Sequence, residues 1–370
     1  MSIKEQRMEL KIYDQFSTDP NFYNGYRLLS RTDSNGKKPE IYIAASNRSA
    51  GKTTFFNGML LHNYLRRGSK FLLLYRRRYE ITQAAAGFFK DISKLFFPDL
   101  LMSQSTVVKN VFEKLYVFDK SEHPIKYECG YAASISAAEQ IKKFSHLLSD
   151  IDVILFDEAF PENDNYIKKE IDMFMSVHDS LARGNGQMSR YLPVIIVGNM
   201  ISIYNPYFDA LGIVDTLQLN SNFTRGDGFV IEQNFNEVSA RKHSESAFHR
   251  ALSGAAYNAA TQEKKYINTS YDMIDNTVAD NGRYILTIRS EGQCYSVRYN
   301  EEGFFYYVSN TPDPRFKMQH AATEKDISEN AIFDPQSTYR KVLRDRFRHN
   351  QLKFKNLKSK SAAIHFITAK

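Results

Sequence analysis

A three-layer α/β domain with a mainly parallel sheet, followed by a smaller β-rich domain, is the architecture this 370-residue sequence predicts. Three observations point to it. Short apolar runs alternate with helix-like segments through the first half, one of the joins carries a phosphate-loop pattern, and past residue 230 the texture changes to hairpin-like strands.

The strands come first. Residues 41–45, 70–75, 151–156 and 194–198 are short runs rich in Val, Ile, Leu and Tyr, without polar–apolar alternation. A strand covered on both faces reads this way, as in a parallel sheet. Between them lie helix patterns at 52–67, 83–97, 137–148 and 166–182, with a shorter strand pair at 107–110 and 115–118. Further on, 237–252 reads as a polar helix and 254–265 as a helix or connector. A meander follows at 284–289, 294–299 and 304–308, its joins carrying Gly and polar residues suited to hairpins. A last helix is expected at 339–347. The predicted domains are therefore 1–230, a helical linker over 231–262, and 263–370.

Hydrophobic residues make up 42% of the chain, enough for a real core. Cys129 and Cys294 stand far apart, which argues against a disulfide framework or a structural zinc site. No apolar run approaches the roughly 20 residues of a membrane span, and residues 1–14 lack an apolar signal region. A soluble, intracellular protein with no membrane partner is expected. The net charge of +7 is unevenly placed: residues 339–370 hold ten Lys/Arg against Asp345 alone, a net +9 that leaves −2 for the rest. A polyanion partner near the C-terminus is the natural expectation, a solvated basic tail the plainer one.

Residues 46–53 read Ser-Asn-Arg-Ser-Ala-Gly-Lys-Thr, the G-x-x-x-x-G-K-[ST] phosphate loop with Ser46 at the first glycine. A strand precedes it and a helix follows, as the motif requires. Gly51 lets successive backbone N–H groups curl toward a phosphate, and the helix adds its positive end. Lys52 would neutralise charge between the terminal phosphates, and the Thr53 hydroxyl would ligate Mg²⁺. Ser46, Asn47, Arg48, Ser49, Ala50, Gly51, Lys52, Thr53 and Thr54 form the expected ATP cradle. The strand at 151–156 ends in Asp157-Glu158: Asp157 suits a Mg²⁺ partner, and Glu158 suits a general base for water, the arrangement of an ASCE-type P-loop NTPase. The strand at 194–198 ends at Asn199, a polar group that would face the γ-phosphate and could sense its loss.

Arg76-Arg77-Arg78 follow the strand at 70–75, where basic residues would face the ligand crevice. Together, Arg48 inside the loop, a strand ending in Arg and a strand ending in Asp-Glu, in this order, resemble the large terminase ATPases of tailed phages. Residues 194–208, with Gly198-Asn199 and then Asn205-Pro206-Tyr207-Phe208, resemble the DNA-encapsidation ATPases of small phages that package a unit-length, protein-capped genome. The resemblance spans roughly residues 40–210.

The resemblance implies a homo-oligomeric ring motor, a pentamer, docked on the portal of an empty procapsid in the host cytoplasm and driving double-stranded DNA inward. A packaging RNA would be a further partner. It also implies an arginine acting in trans on a neighbour's site; Arg183 matches that position best and Arg190 is second. Many terminases carry a metal-dependent nuclease of RNase H-like fold with an aspartate on its first strand. Here residues 284–289 hold no acid, and Arg289 stands near the expected place, so a nuclease-like domain without cutting activity is expected. Two other readings share these motifs: an assembly protein that uses ATP as a switch, and a terminase that also cleaves DNA.

Overall fold

The computed structural model describes all residues except 1–2, 20–21, 47–49, 110, 122–123, 162–165, 184–188, 200–204, 214–221, 235–240, 242–244, 252–272, 350 and 370. The chain divides into two compact units, Met1–Asn268 and Thr269–Lys370.

The first unit runs α1 (Ile3–Thr18), α2 (Tyr26–Leu29), β1 (Ile41–Ser46), α3 (Lys52–Arg67), β2 (Lys70–Tyr75), α4 (Glu80–Leu95), β3 (Leu100–Val108), β4 (Phe112–Asp119) and β5 (Tyr127–Ser134). It continues through α5 (Ala138–Lys143), β6 (Ile151–Phe156), α6 (Glu170–Ala182), β7 (Val194–Asn199), α7 (Pro206–Ala210), β8 (Phe223–Gly226), β9 (Phe229–Asn234) and α8 (Ala247–Ala251). Its sheet has nine strands in the order β3-β4-β5-β2-β6-β7-β1-β9-β8. The strands from β5 to β9 in that order run parallel, and the outer pairs are antiparallel.

The lack of alternation in the central strands has a direct cause: both faces are covered. On one face Tyr42, Phe71, Leu73, Leu155 and Ile195 pack with Phe55, Phe56 and Leu60 of α3 and Ile92 of α4. On the other, Ile43, Leu72, Phe156 and Ile196 pack with Phe174, Val177 and Leu181 of α6. Helix α3 stops where Gly68 takes a left-handed conformation and its N–H returns to the Tyr64 carbonyl. Asn205 starts α7 by accepting from the N–H groups of Tyr207 and Phe208, with Pro206 at the first position.

Several elements differ from expectation. The strand pair near 107–118 is a longer hairpin, β3–β4. Strand β5 was not expected, because Gly130 and its alanines carry little β signal. Gly130 is required there: a Cβ would stand 2.4 Å from the Phe71 carbonyl oxygen. The helix expected over 137–148 is broken into 3-10 turns around the short α5. Strands β8 and β9 were also missed. Since β9 pairs with β1, the sheet continues past the boundary expected near 230. The connector expected at 254–265 lies outside the described residues.

The second unit holds β10 (Arg283–Ser290), β11 (Gln293–Asn300), β12 (Phe305–Ser309), β13 (Gln319–Ala321), β14 (Ala331–Ile332), α9 (Thr338–Arg348), β15 (Leu352–Phe354) and α10 (Leu357–Thr368). The expected meander is present, and the sheet extends to the order β14-β13-β10-β11-β12-β15. The basic tail is a folded part of this unit, which corrects the picture of a solvated segment. Arg340 is buried, and its guanidinium donates to the carbonyls of Asp334, Ala321, Ala322 and Phe366. Arg344 donates to Ile367, Lys360 is buried, and Lys353 and Lys355 pair with Asp275 and Asp280. Lys341, Arg346 and Lys358 stay exposed. Burial holds the Arg340 pKa down to about 10, still charged at neutral pH. Arg340→Met removes one donor from each of these carbonyls, at roughly 1–3 kcal/mol for each one left buried and unsatisfied. The expected result is lost amide-exchange protection across α10 and β13; unchanged protection would show that Arg340 does not hold them.

Candidate functional site

The carboxyl ends of β1, β2, β6 and β7 open on one cleft of about 530 Å³. It is lined by Ala50 to Thr54, by Arg76, Arg77, Tyr79 and Glu80, by Asp157, Glu158, Phe160 and Pro161, and by Val197 to Asn199. Strand order explains the meeting: β7 lies between β1 and β6, so their ends sit side by side.

Gly51 adopts φ +89, a left-handed turn that opens α3 and aims its N-terminus into the cleft. The Lys52 amine is buried and donates to the Ser46 hydroxyl at 2.8 Å, to the Ser46 carbonyl at 3.3 Å and to Asn199 Oδ1 at 3.5 Å. Ser46, which departs from the usual glycine, thus supplies a hydroxyl that holds the lysine. Asn199 stands in register beside Ser46, so the two strand ends present their polar groups to one amine. Asn47, Arg48 and Ser49 lie outside the described residues.

Thr53 Oγ1 lies 3.2 Å from Asp157 Oδ1 and donates to it. That carboxylate also accepts the Glu158 N–H at 2.9 Å. Removal from water pushes the Asp157 pKa up to about 6, with the Glu158 charge adding to the rise; the Glu158 N–H, the Thr53 hydroxyl and the Lys52 charge oppose it. A hydroxyl and a carboxylate side by side are hard oxygen donors, the set that suits Mg²⁺. Glu158 is exposed, lines the cleft and holds φ +51, a costly conformation for a non-glycine residue.

Gly198 makes room for Phe160, two residues past Glu158: a Cβ on Gly198 would stand 2.1 Å from the ring. Gly198→Ala is expected to cost about 1–3 kcal/mol as overpacking and to be relieved by Phe160→Leu in the same chain. A double variant no more stable than the single one, by denaturant titration, would contradict this.

The three arginines after β2 have separate places. Arg76 is buried in a two-pronged ion pair with Glu170, Nε to Oε1 at 2.9 Å and Nη2 to Oε2 at 2.7 Å. Arg78 donates to Gln140 Oε1 and the Ser136 carbonyl. Arg77 is half-buried in the cleft wall. Arg183 is the exposed residue ending α6, beside a shallow groove with Lys142, Ser145 and Asp179 rather than in the cleft. Arg190 is tied back, its Nη2 donating to the Leu181 carbonyl and its N–H to the Ala182 carbonyl. Sequence reasoning missed Tyr79, Glu80 and Phe160 in the cleft, as well as Glu170. Nothing local marks Glu170 out, because its partner is 94 positions away.

A family model described as podovirus DNA encapsidation protein (Gp16) matches residues 19–370. The DNA packaging protein of Bacillus phage B103 is 26% identical over 236 residues, covering 61% of this chain and 70% of that protein. In fold, the chain is similar to a chain of the bacteriophage Phi-29 viral genome packaging motor assembly, with TM-score 0.57 and 22% identity over 92% of this chain and 97% of that one. It is also similar to the Phi-28 gp11 DNA packaging motor, with TM-score 0.58 and 15% identity over 95% of this chain and 99% of that one.

Proposed function

The chain belongs to the podovirus DNA encapsidation protein (Gp16) family, and from that premise we propose that it is an ATP-hydrolysing motor that moves double-stranded viral DNA into a procapsid. The observation that carries this reading is the assembled cleft: Lys52 held between Ser46 and Asn199, Thr53 against Asp157, and Glu158 exposed beside them.

ATP is the substrate. Its β- and γ-phosphates would lie against the turn at Gly51 and the N-terminus of α3, with Lys52 shifting from Ser46 and Asn199 to the phosphate oxygens. Thr53 and Asp157 would hold Mg²⁺, which when bound neutralises phosphate charge and orients the reacting phosphoryl group. Glu158 takes a proton from the attacking water at its exposed carboxylate. Asn199, once released by Lys52, is free to follow the γ-phosphate and report its loss to β7. Arg183 is exposed and does not line its own cleft, so its reading is an arginine offered to the next subunit of a ring, where it would stabilise transition-state charge. Arg190, engaged with α6 of its own chain, is the weaker candidate.

The ring, its pentameric number, the portal contact and a packaging RNA are part of this proposal, supported by the family and by the motor assemblies that share the fold. The second domain is read as nuclease-like without cutting activity. Its Asp275, Asp280 and Asp313 are each paired with a cation, Lys353, Lys355 and Arg315, and no carboxylate stands on β10. Among the described residues no helix is long and apolar enough to cross a membrane.

The test is steady-state ATP hydrolysis with and without double-stranded DNA. The wild type is expected to turn over faster with DNA, and Lys52→Ala to lose nucleotide binding. ATP bound but hydrolysed no faster than by Glu158→Gln would leave only the switch reading.

A further inference from the structure

The ion pair of Arg76 with Glu170 serves no step above, although it is among the most buried charge pairs described, with side chains 8% and 1% exposed. Glu170 also accepts the Tyr207 hydroxyl at 2.8 Å and the Ile167 N–H at 2.6 Å. Its two oxygens thereby gather three segments. Arg76 ends β2 and lines the cleft, Glu170 begins α6, and Tyr207 belongs to α7, the helix after β7 and Asn199. Around them Tyr207 packs on Phe156, Phe160 and Phe174, and the Arg76 guanidinium lies over the Tyr166 ring. Helix α6 enters through a strained turn, Lys169 at φ +57, and Glu170 ties that turn down. The far end of α6 is pinned as well, by Arg190 on its last carbonyls and by His178 Nε2 at 2.9 Å from the Leu192 carbonyl. Arg183 is the next residue, about 20 Å along the axis from Glu170.

We propose that Glu170 is a positioning residue for hydrolysis in the neighbouring subunit: the Arg76–Glu170–Tyr207 network sets α6 against its own cleft and so sets where Arg183 is delivered. This rests on the trans role of Arg183 proposed above. A pair built only to hold the core would have no preference between the cis and trans sites. A pair that aims α6 must act through Arg183, because a misplacement of about 1 Å can cost on the order of 10²-fold in rate.

The experiment is subunit mixing with the full chain. Glu170→Gln alone is expected to bind ATP within about twofold of wild type while its turnover falls on the order of 10²-fold. Tyr207→Phe, which removes one bond to Glu170, serves as the milder variant should Glu170→Gln fold poorly. Mixing Glu170→Gln with Glu158→Gln is expected to restore turnover, because an intact Arg183, correctly held, then reaches an intact Glu158. Mixing it with Arg183→Ala is expected to restore nothing. The opposite pattern would place the effect in the cis cleft and overturn the proposal; so would rescue by neither partner, or full activity of Glu170→Gln and Tyr207→Phe alone. The Glu158→Gln plus Arg183→Ala mixture, run alongside, tests the shared site itself, so failure of that reading is seen separately.

Discussion

Arg183→Ala is expected to bind ATP as the wild type does and to hydrolyse it about 10³–10⁵-fold more slowly, the range an arginine finger supplies. The physical reason lies in the cleft. Lys52 is the cation placed for the phosphates of its own subunit, and Arg77 stands in the wall at a distance set by β2. Charge that develops on the transferring phosphoryl group calls for cations beyond Lys52, and in the proposed function another chain provides one. Arg183 is exposed at the end of a helix anchored at both ends, so its backbone is held in place while its side chain stays accessible. Arg190→Ala should behave differently: it removes the side-chain donor from the Leu181 carbonyl of α6 and lowers stability, with a smaller loss of turnover. Equal loss in both variants would show that α6, rather than the Arg183 charge, carries the effect.

The second large effect is expected at Glu158. Glu158→Gln keeps the size of the side chain and removes its basicity, so turnover should fall by about 10²–10⁴-fold with ATP affinity unchanged. The backbone at φ +51 is a fixed strain borne by either residue, which makes the comparison one of chemistry alone. Asp157→Asn in the same assay should instead raise the Mg²⁺ concentration needed for turnover, since Asp157 stands beside Thr53 as a metal-holding oxygen. A Glu158→Gln protein with wild-type turnover would remove the general base from this account.

Much of this was legible in the sequence where the physics is local. The four central strands and α3 match their apolar runs because burial on both faces leaves a plain signature. The turn at Gly51 with Lys52 and Thr53, and the Asp157-Glu158 strand end, were legible as neighbours in one cleft because phosphate chemistry restricts the residue types. What escaped depends on pairing at a distance. Strand β5 hides behind Gly130, whose value is a close approach to Phe71. Strand β9 becomes part of the sheet only through β1. The Arg76–Glu170 pair joins the end of a strand to the start of a helix that sequence leaves unrelated, so the place of Arg76 in the cleft wall was legible but its buried partner was not. The C-terminal charge misled for the same reason: Arg340 and Lys360 look like a solvated tail until α10 packs down and Arg340 finds its carbonyls.

A hydrolytic site completed by two chains stands at the centre of the proposed function. Its most direct test is ATP turnover, with double-stranded DNA present, in a mixture of Glu158→Gln and Arg183→Ala proteins that are each inactive alone. Turnover is expected to return on mixing, because the intact Glu158 of one chain meets the intact Arg183 of the other. A mixture that stays inactive at every ratio, while each protein still binds ATP, would contradict it.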